Sequence, residues 1–82
     1  MTERPFDIVL YGASGFTGQL VAEYLASAHT DLQWAIAGRN QQKLERCRRE
    51  LGKPDLPILI ADSDDATQLK AMALQAKVII ST

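Results

Sequence analysis

The most informative stretch of the sequence is Ile8-Val9-Leu10-Tyr11-Gly12-Ala13-Ser14-Gly15-Phe16-Thr17-Gly18. A short apolar strand runs into a turn with glycines three residues apart, and a helical pattern begins at once. In such a turn Gly12 lets the chain leave the strand, Gly15 lets a phosphate approach the main chain, and Gly18 lets the helix pack closely. The helix N-terminus adds free N–H groups and a partial positive charge. The stretch predicts a loop that binds a diphosphate, and the alternative is an ordinary strand–helix turn.

Outward from this loop, apolar strands alternate with helices in the order βαβαβαβ. Strands are expected over residues 6–11, 32–37, 58–61 and 77–81, and the first helix over about 15–27. The connections are long enough for crossover helices, which implies a parallel sheet covered on both faces. Right-handed crossovers and the glycine-rich first turn favour the strand order 3-2-1-4. The predicted fold class is α/β, a three-layer Rossmann-type half.

Helix signals and inward-facing residues complete this prediction. Asn40 is positioned to cap the second helix, and Gly52 to end it. The helical spacing predicts that two sets of side chains face the core: Leu20, Val21, Tyr24 and Leu25 from the first helix, and Leu69, Met72, Ala73 and Ala76 from the third.

Length and composition limit the possible functions. The chain has 82 residues, a formal net charge of −1 and a single cysteine, Cys47. It is long enough for one small domain, its charge gives no reason to expect nucleic acid, and no intramolecular disulfide can form. No signal peptide or membrane-spanning run is evident, so the cytoplasm is the default compartment. The sequence contains no metal-ligand spacing and no nucleophile–base pair. Because it stops directly after an apolar strand, we expect an N-terminal piece of a longer protein.

Four polar or small segments are expected at the carboxyl edge of the sheet, where ligands bind in folds of this type. They are residues 12–18, 38–40, 62–63 and 81–82. Ser14 and Thr17 are candidates to donate to phosphate oxygens or, equally, to cap local backbone. Asp62 either accepts from an adenine amino group or caps the third helix together with Asp64 and Asp65. Ser81 and Thr82 are expected near the nicotinamide ribose.

Arg39 predicts which dinucleotide binds. It lies about 20 residues beyond Gly18, where NAD-binding versions of the fold carry an acidic residue that holds the ribose hydroxyls. A guanidinium at this position can hold a 2′-phosphate, so NADP(H) is predicted rather than NAD(H). The alternatives are a solvated arginine and a different nucleotide or sugar nucleotide. Asn40 is expected to cap its helix and to contact the ribose or phosphate, and Phe16 to pack over the helix start.

The same motifs resemble a known family. Residues 11–19 (YGASGFTGQ) and 34–40 (WAIAGRN), followed by Lys43-Leu44, are similar to the saccharopine dehydrogenase-like oxidoreductases, which include trans-acting enoyl reductases. The resemblance implies an N-terminal nucleotide-binding domain, a larger second domain and NAD(P)-linked reductase or dehydrogenase activity, in some members on lipid-type acyl substrates. It assigns the phosphate loop to Gly12, Ser14, Gly15, Phe16, Thr17 and Gly18, and the adenosine-phosphate contact to Arg39. The chain stops where the family's glycine-proline-tyrosine stretch should follow.

Two functional hypotheses follow. In the first, residues 1–82 are the start of the NADP(H)-binding domain of an oxidoreductase, and the remaining polypeptide brings a small-molecule or lipid-type substrate. Hydride transfer is then the cofactor's chemistry, and the fold orients it. The alternative is a non-catalytic NADP(H)-binding regulatory or redox-sensing module. The sequence beyond Thr82 would distinguish this module from an enzyme. An exposed edge on the fourth strand also predicts self-association.

Overall fold

Strands and helices alternate along the chain in a computed structural model, which describes residues 5–13, 15–28 and 32–81. The elements are β1 (Phe6–Tyr11), α1 (Phe16–Ala28), β2 (Trp34–Gly38), α2 (Gln41–Glu50), β3 (Ile58–Ile60), α3 (Ala66–Ala73) and β4 (Ala76–Ser81). The predicted element order is confirmed. The bounds of β1 are those expected, and the bounds of α1 and of the other strands differ from those expected by at most two residues.

All described strands belong to one parallel sheet in the order β3-β2-β1-β4. The central strand β1 pairs with β2 through Leu10 and Ile36, and with β4 through Leu10 and Ile80. The predicted α/β class and the strand order 3-2-1-4 are therefore confirmed. Because the order reverses direction at β1, the crevice predicted for a ligand opens beside β1.

The helices cover opposite faces of the sheet, and a separate core lies under each face. On one face, residues of α1 and α2 pack on Leu10 and Ile36, which are fully buried. On the other face, Met72 of α3 packs with Val9 and the small residues of β2. Successive side chains of β1 thus pack into different cores, because side chains alternate between the two faces of a strand. The predicted three layers are present.

The helix boundaries follow from identifiable caps. The Asn40 side chain accepts a hydrogen bond from the Lys43 N–H at the start of α2, as predicted. The Gly52 N–H donates to the Arg49 carbonyl just beyond the end of α2. At α3 the capping residue is Asp65, whose carboxylate accepts from the N–H groups of Thr67 and Gln68.

Some of the predicted core residues are placed differently. Leu25 is buried as expected, but Leu20 and Tyr24 of α1 are 53% and 61% exposed. The helix carries apolar residues on two faces, and periodicity alone does not say which face meets the sheet. Ala76 is buried, but it opens β4 instead of closing α3.

Candidate cofactor-binding site

The carboxyl ends of the parallel strands bring the described residues of the four predicted segments to one edge of the sheet. Tyr11 at the end of β1 pairs with Ala37 of β2 and with Ser81 of β4. Gly38 pairs with Ile60, the last residue of β3. The glycine-rich turn therefore lies between the end of β2 and the end of β4. Ser81 therefore lies at the same edge of the sheet as the glycine-rich turn, since neighbouring strands lie only about 4.8 Å apart.

The glycine-rich turn is held in place by backbone hydrogen bonds. The Gly12 N–H donates to the Ala37 carbonyl at 2.9 Å, and the Gly15 N–H donates to the Gly12 carbonyl at 3.0 Å. Gly12 has φ of 88°, which other residues seldom adopt without strain. The turn thus needs glycine at position 12 because of its backbone conformation.

Gly18 and Gly15 have different steric surroundings. A Cβ at Gly18 would overlap the Gly12 carbonyl oxygen and lie 2.8 Å from the Cα of Ala13. A Cβ at Gly15 would meet only the Gly12 carbonyl oxygen within 4 Å, at an ordinary 3.5 Å. Close packing of α1 on the turn therefore requires Gly18. The folded chain has room for a side chain at Gly15, so the lack of one leaves the main chain open to a ligand.

The N-terminus of α1 presents N–H groups beside this turn. The first hydrogen bond of the helix joins the Gln19 N–H to the Gly15 carbonyl at 2.8 Å. The N–H groups of Phe16, Thr17 and Gly18 precede this bond and have no acceptor within the helix. Together with the helix dipole they form a site suited to an anion.

The side chains at the start of α1 are exposed. Phe16 is 82% exposed, so the expectation that it packs over the helix start is wrong. Thr17 is exposed, and within the described ranges its hydroxyl makes no hydrogen bond, which leaves it available to a phosphate. Ser14 lies outside the described residues, as does Thr82.

Arg39 follows β2 at the same edge of the sheet. Its side chain is exposed and makes no hydrogen bond or ion pair with the part of the chain that the structure describes. The Asn40 Oδ1 atom accepts from the Lys43 N–H at 3.0 Å, which leaves the Nδ2 amino group of Asn40 as a donor for a ligand. No acidic residue stands in the first turn of α2. A positive side chain next to the positive end of a helix lowers stability slightly, so a role in folding does not explain Arg39.

Asp62 does not share in capping α3. Its Oδ1 atom accepts from the Asp64 N–H at 2.9 Å, which closes a local turn. Asp65 alone of the three predicted acids caps the helix, with accepted bonds of 3.0 and 3.1 Å. The Asp62 N–H donates to the Gln68 side chain at 2.8 Å, which fixes the segment after β3.

Two side-chain contacts at this edge were not predicted. The Tyr11 hydroxyl donates to the Ala61 carbonyl at 3.1 Å and joins the end of β1 to the end of β3 across β2. The Cys47 thiol donates to the Ala13 carbonyl at 3.6 Å and ties α2 to the glycine-rich turn. Burial raises the pKa of this thiol above its ordinary value, so Cys47 stays protonated and able to donate. Neither contact has a sequence signal, because each joins residues more than 30 positions apart.

Residues 8–82 match the family described as the saccharopine dehydrogenase NADP binding domain. The chain belongs to this family. Its cofactor is accordingly NADP, and the predicted choice of NADP over NAD is confirmed.

Relatives of this NADP-binding domain are found in mycobacteria. The chain is 49% identical, over 99% of its length, to a Mycobacterium tuberculosis protein named as a candidate trans-acting enoyl reductase. It is 45% identical over 98% of its length to a trans-acting enoyl reductase of Mycobacterium bovis, and 44% identical over the same share to one of Mycobacterium leprae. The chain spans 20% of the length of each of these relatives. No solved structure gives a match.

The residues of the NADP-binding domain fit a dinucleotide. The open main chain at Gly15 and the N–H groups of α1 suit a diphosphate, and the exposed guanidinium of Arg39 suits a further phosphate. Within residues 5–13, 15–28 and 32–81 there is no cluster of His, Cys, Asp and Glu that could hold a metal ion. Over those same ranges, no helix has both the length and the apolar character needed to cross a membrane.

Proposed function

We propose that the chain is the N-terminal NADP(H)-binding part of an oxidoreductase whose remaining polypeptide carries the substrate site. Bound NADP(H) supplies or accepts a hydride, and the domain binds and orients the cofactor. The relatives named as trans-acting enoyl reductases favour reduction of a carbon–carbon double bond in an acyl, lipid-type substrate. In this proposal residues 1–82 hold the adenosine half of the crevice, and no catalytic residue lies among them.

The observation that carries the proposal is the position of Arg39. Its exposed guanidinium stands at the end of β2, the strand hydrogen-bonded to the glycine-rich turn through Gly12. A dinucleotide whose diphosphate lies at Gly15 and the start of α1 extends its adenosine toward β2. Arg39 then pairs with the 2′-phosphate through charge-assisted hydrogen bonds.

The other site residues take supporting roles in this proposal. The hydroxyls of Ser14 and Thr17 donate to diphosphate oxygens, and Phe16 borders the same loop. Asn40 contacts the adenosine ribose or phosphate through its amide group, and Asp62 accepts from the adenine amino group. Ser81 and Thr82 lie toward the nicotinamide ribose.

Titration of the purified chain with NADPH and NADH tests the assignment. A hydrogen bond to a charged group contributes about 1.5–3 kcal/mol, so Arg39→Gln is expected to weaken NADPH binding about 10- to 100-fold. NADH binding should change less than about 3-fold, because NADH lacks the 2′-phosphate. Arg39→Asp should reverse the preference, since a carboxylate repels the phosphate and accepts from ribose hydroxyls.

Arg49→Gln is the matched control, because Arg49 is an exposed arginine in the last turn of α2, away from the strand ends. It should leave both affinities unchanged. Equal loss of NADPH and NADH binding in Arg39→Gln, or the same loss in the control, contradicts the role given to Arg39. If the longer polypeptide binds NADPH but transfers no hydride to any acyl substrate, the enzymatic part of the proposal fails.

A further inference from the structure

Three exposed apolar side chains form a stripe along α1. Phe16 is 82% exposed, Leu20 53% and Tyr24 61%. Residues four positions apart lie on the same face of a helix, so the three side chains make one continuous strip about 12 Å long. Ala22 and Leu25 of the same helix are buried against the sheet. The strip, here called the α1 stripe, therefore points away from the sheet.

The α1 stripe is unusual for a surface helix. A helix on the surface of a globular domain normally presents polar residues opposite its buried face. Here polar residues, including Gln19 and Glu23, stand only at the sides of the stripe. An apolar strip bordered by polar side chains is typical of a surface that another segment covers.

We propose that the α1 stripe is covered by an apolar segment of the same polypeptide that follows Thr82. This inference rests on the proposed function, in which the chain is the first part of a longer protein. The relatives are long enough to contain such a segment, since the chain spans only 20% of the length of each of them. The covering segment presents leucine, isoleucine or aromatic side chains at helical spacing to lie along the stripe.

The area of the stripe favours a covalently linked segment over a separate partner. The three side chains together expose about 400 Å², because an aromatic residue offers at most about 150–250 Å². A stable interface between separate proteins buries about 800 Å² on each side. A linked segment needs less area, since its effective concentration is already in the millimolar range.

The chain direction also brings the following polypeptide to the stripe. Ser81 of β4 pairs with Tyr11, and α1 begins five residues after Tyr11. The end of β4 and the Phe16 end of the stripe therefore meet at the same edge of the sheet. Polypeptide leaving β4 starts beside the surface that it is proposed to cover.

The test compares one substitution in two contexts, the 82-residue chain and the longer polypeptide that carries it. Leu20→Ser is expected to shift the Tm of the chain by less than about 2 °C, because the side chain is exposed there. In the longer polypeptide the same change should lower the Tm by about 4 °C or more. Leu74→Ser is the control, since Leu74 is 58% exposed outside the stripe and should give the same small shift in both contexts.

A measurement without substitutions supports this comparison. Hydroxyl-radical labelling of Phe16 and Tyr24 in the wild-type sequence should fall at least about 3-fold from the chain to the longer polypeptide, because labelling follows side-chain exposure. Equal labelling, or an equal Leu20→Ser shift in both contexts, overturns the inference. So does a chain that dimerises by sedimentation and becomes monomeric with Leu20→Ser, because the occupant is then a second copy.

Titration of the longer polypeptide with NADPH separates this inference from the proposed function. Binding of NADPH with a stripe that stays exposed means that the covering segment is wrong and the cofactor role stands. Protection of the stripe in a polypeptide that does not bind NADPH means that the cofactor role is wrong and the covering segment stands.

Discussion

Gly18→Ala tests whether the glycine-rich turn and α1 pack as one rigid unit. The added Cβ would overlap the Gly12 carbonyl oxygen and lie 2.8 Å from Ala13 Cα and from the carbonyl carbon of Gly12. Ordinary carbon contacts are about 3.5–4.0 Å, so α1 has to move away from the turn by about 1 Å. The atoms in the way all belong to backbone, and the hydrogen bond from Gly12 to Ala37 at 2.9 Å restrains them.

Two opposing effects decide the sign of the change. Replacing a helical glycine by alanine gains up to about 1 kcal/mol in helix propensity. Overpacking against a fixed backbone costs about 1–3 kcal/mol. We therefore expect Gly18→Ala to lose about 1–2 kcal/mol of unfolding free energy, and each kcal/mol lowers the Tm of a domain this size by about 4–8 °C. NADPH binding should weaken as well, because the N–H groups at the start of α1 move with the helix.

Urea unfolding followed by circular dichroism measures the loss, and Gly38→Ala is the control. A Cβ at Gly38 would meet only the Leu44 side chain, at an ordinary 3.6 Å. The same chemical change should therefore leave stability unchanged or raise it by up to about 1 kcal/mol. A Gly18→Ala protein as stable as the wild type, or more stable, would refute the close packing of α1 on the turn.

Three further outcomes are expected. Asp65→Ala should lower the free energy of unfolding in urea by about 0.5–2 kcal/mol, because two N–H groups of α3 lose their acceptor. The control Asp64→Ala should change it by less than about 0.5 kcal/mol. Equal losses in the two variants contradict the cap. The N–H of Gln33 and then the Lys77 ammonium lower the pKa of Asp7. That carboxylate therefore stabilises the fold above its unfolded pKa of about 3.9, and the stabilisation disappears as the pH falls through the folded pKa. Asp7→Asn should make thermal stability less dependent on pH in this acid range, and an unchanged profile counts against the contact. Tyr11→Phe should cost about 1 kcal/mol through the lost bond to the Ala61 carbonyl, and an unfolding midpoint equal to that of the wild type shows that the bond contributes nothing.

Local signals in the sequence predicted the fold because each acts within a few residues. Strand runs, the Asn40 cap and Gly52 all lie where the pattern indicates. The strand order followed from the right-handedness of the crossover connections and from the position of the glycine-rich turn. Leu20 and Tyr24 of the α1 stripe were wrongly expected in the core. Either apolar face of α1 satisfies the same helical periodicity, so the pattern does not show which face is buried.

The candidate site was predicted in its location and only partly in its contacts. The glycines and Arg39 reach the expected edge because their places follow from where strands end. The bond from Tyr11 to Ala61 and the bond from Cys47 to Ala13 depend on tertiary distances. The choice among Asp62, Asp64 and Asp65 as the cap of α3 depended on backbone angles that three neighbouring acids leave open.

The solvent-facing guanidinium of Arg39 has an evolutionary consequence. No described part of the fold relies on it, so a lineage can exchange this residue without first acquiring compensating mutations. In the proposed function Arg39 sets the preference for NADP(H), so coenzyme preference and thermal stability depend on different positions, and exchange of this one residue is expected to change the preferred coenzyme while the scaffold remains intact.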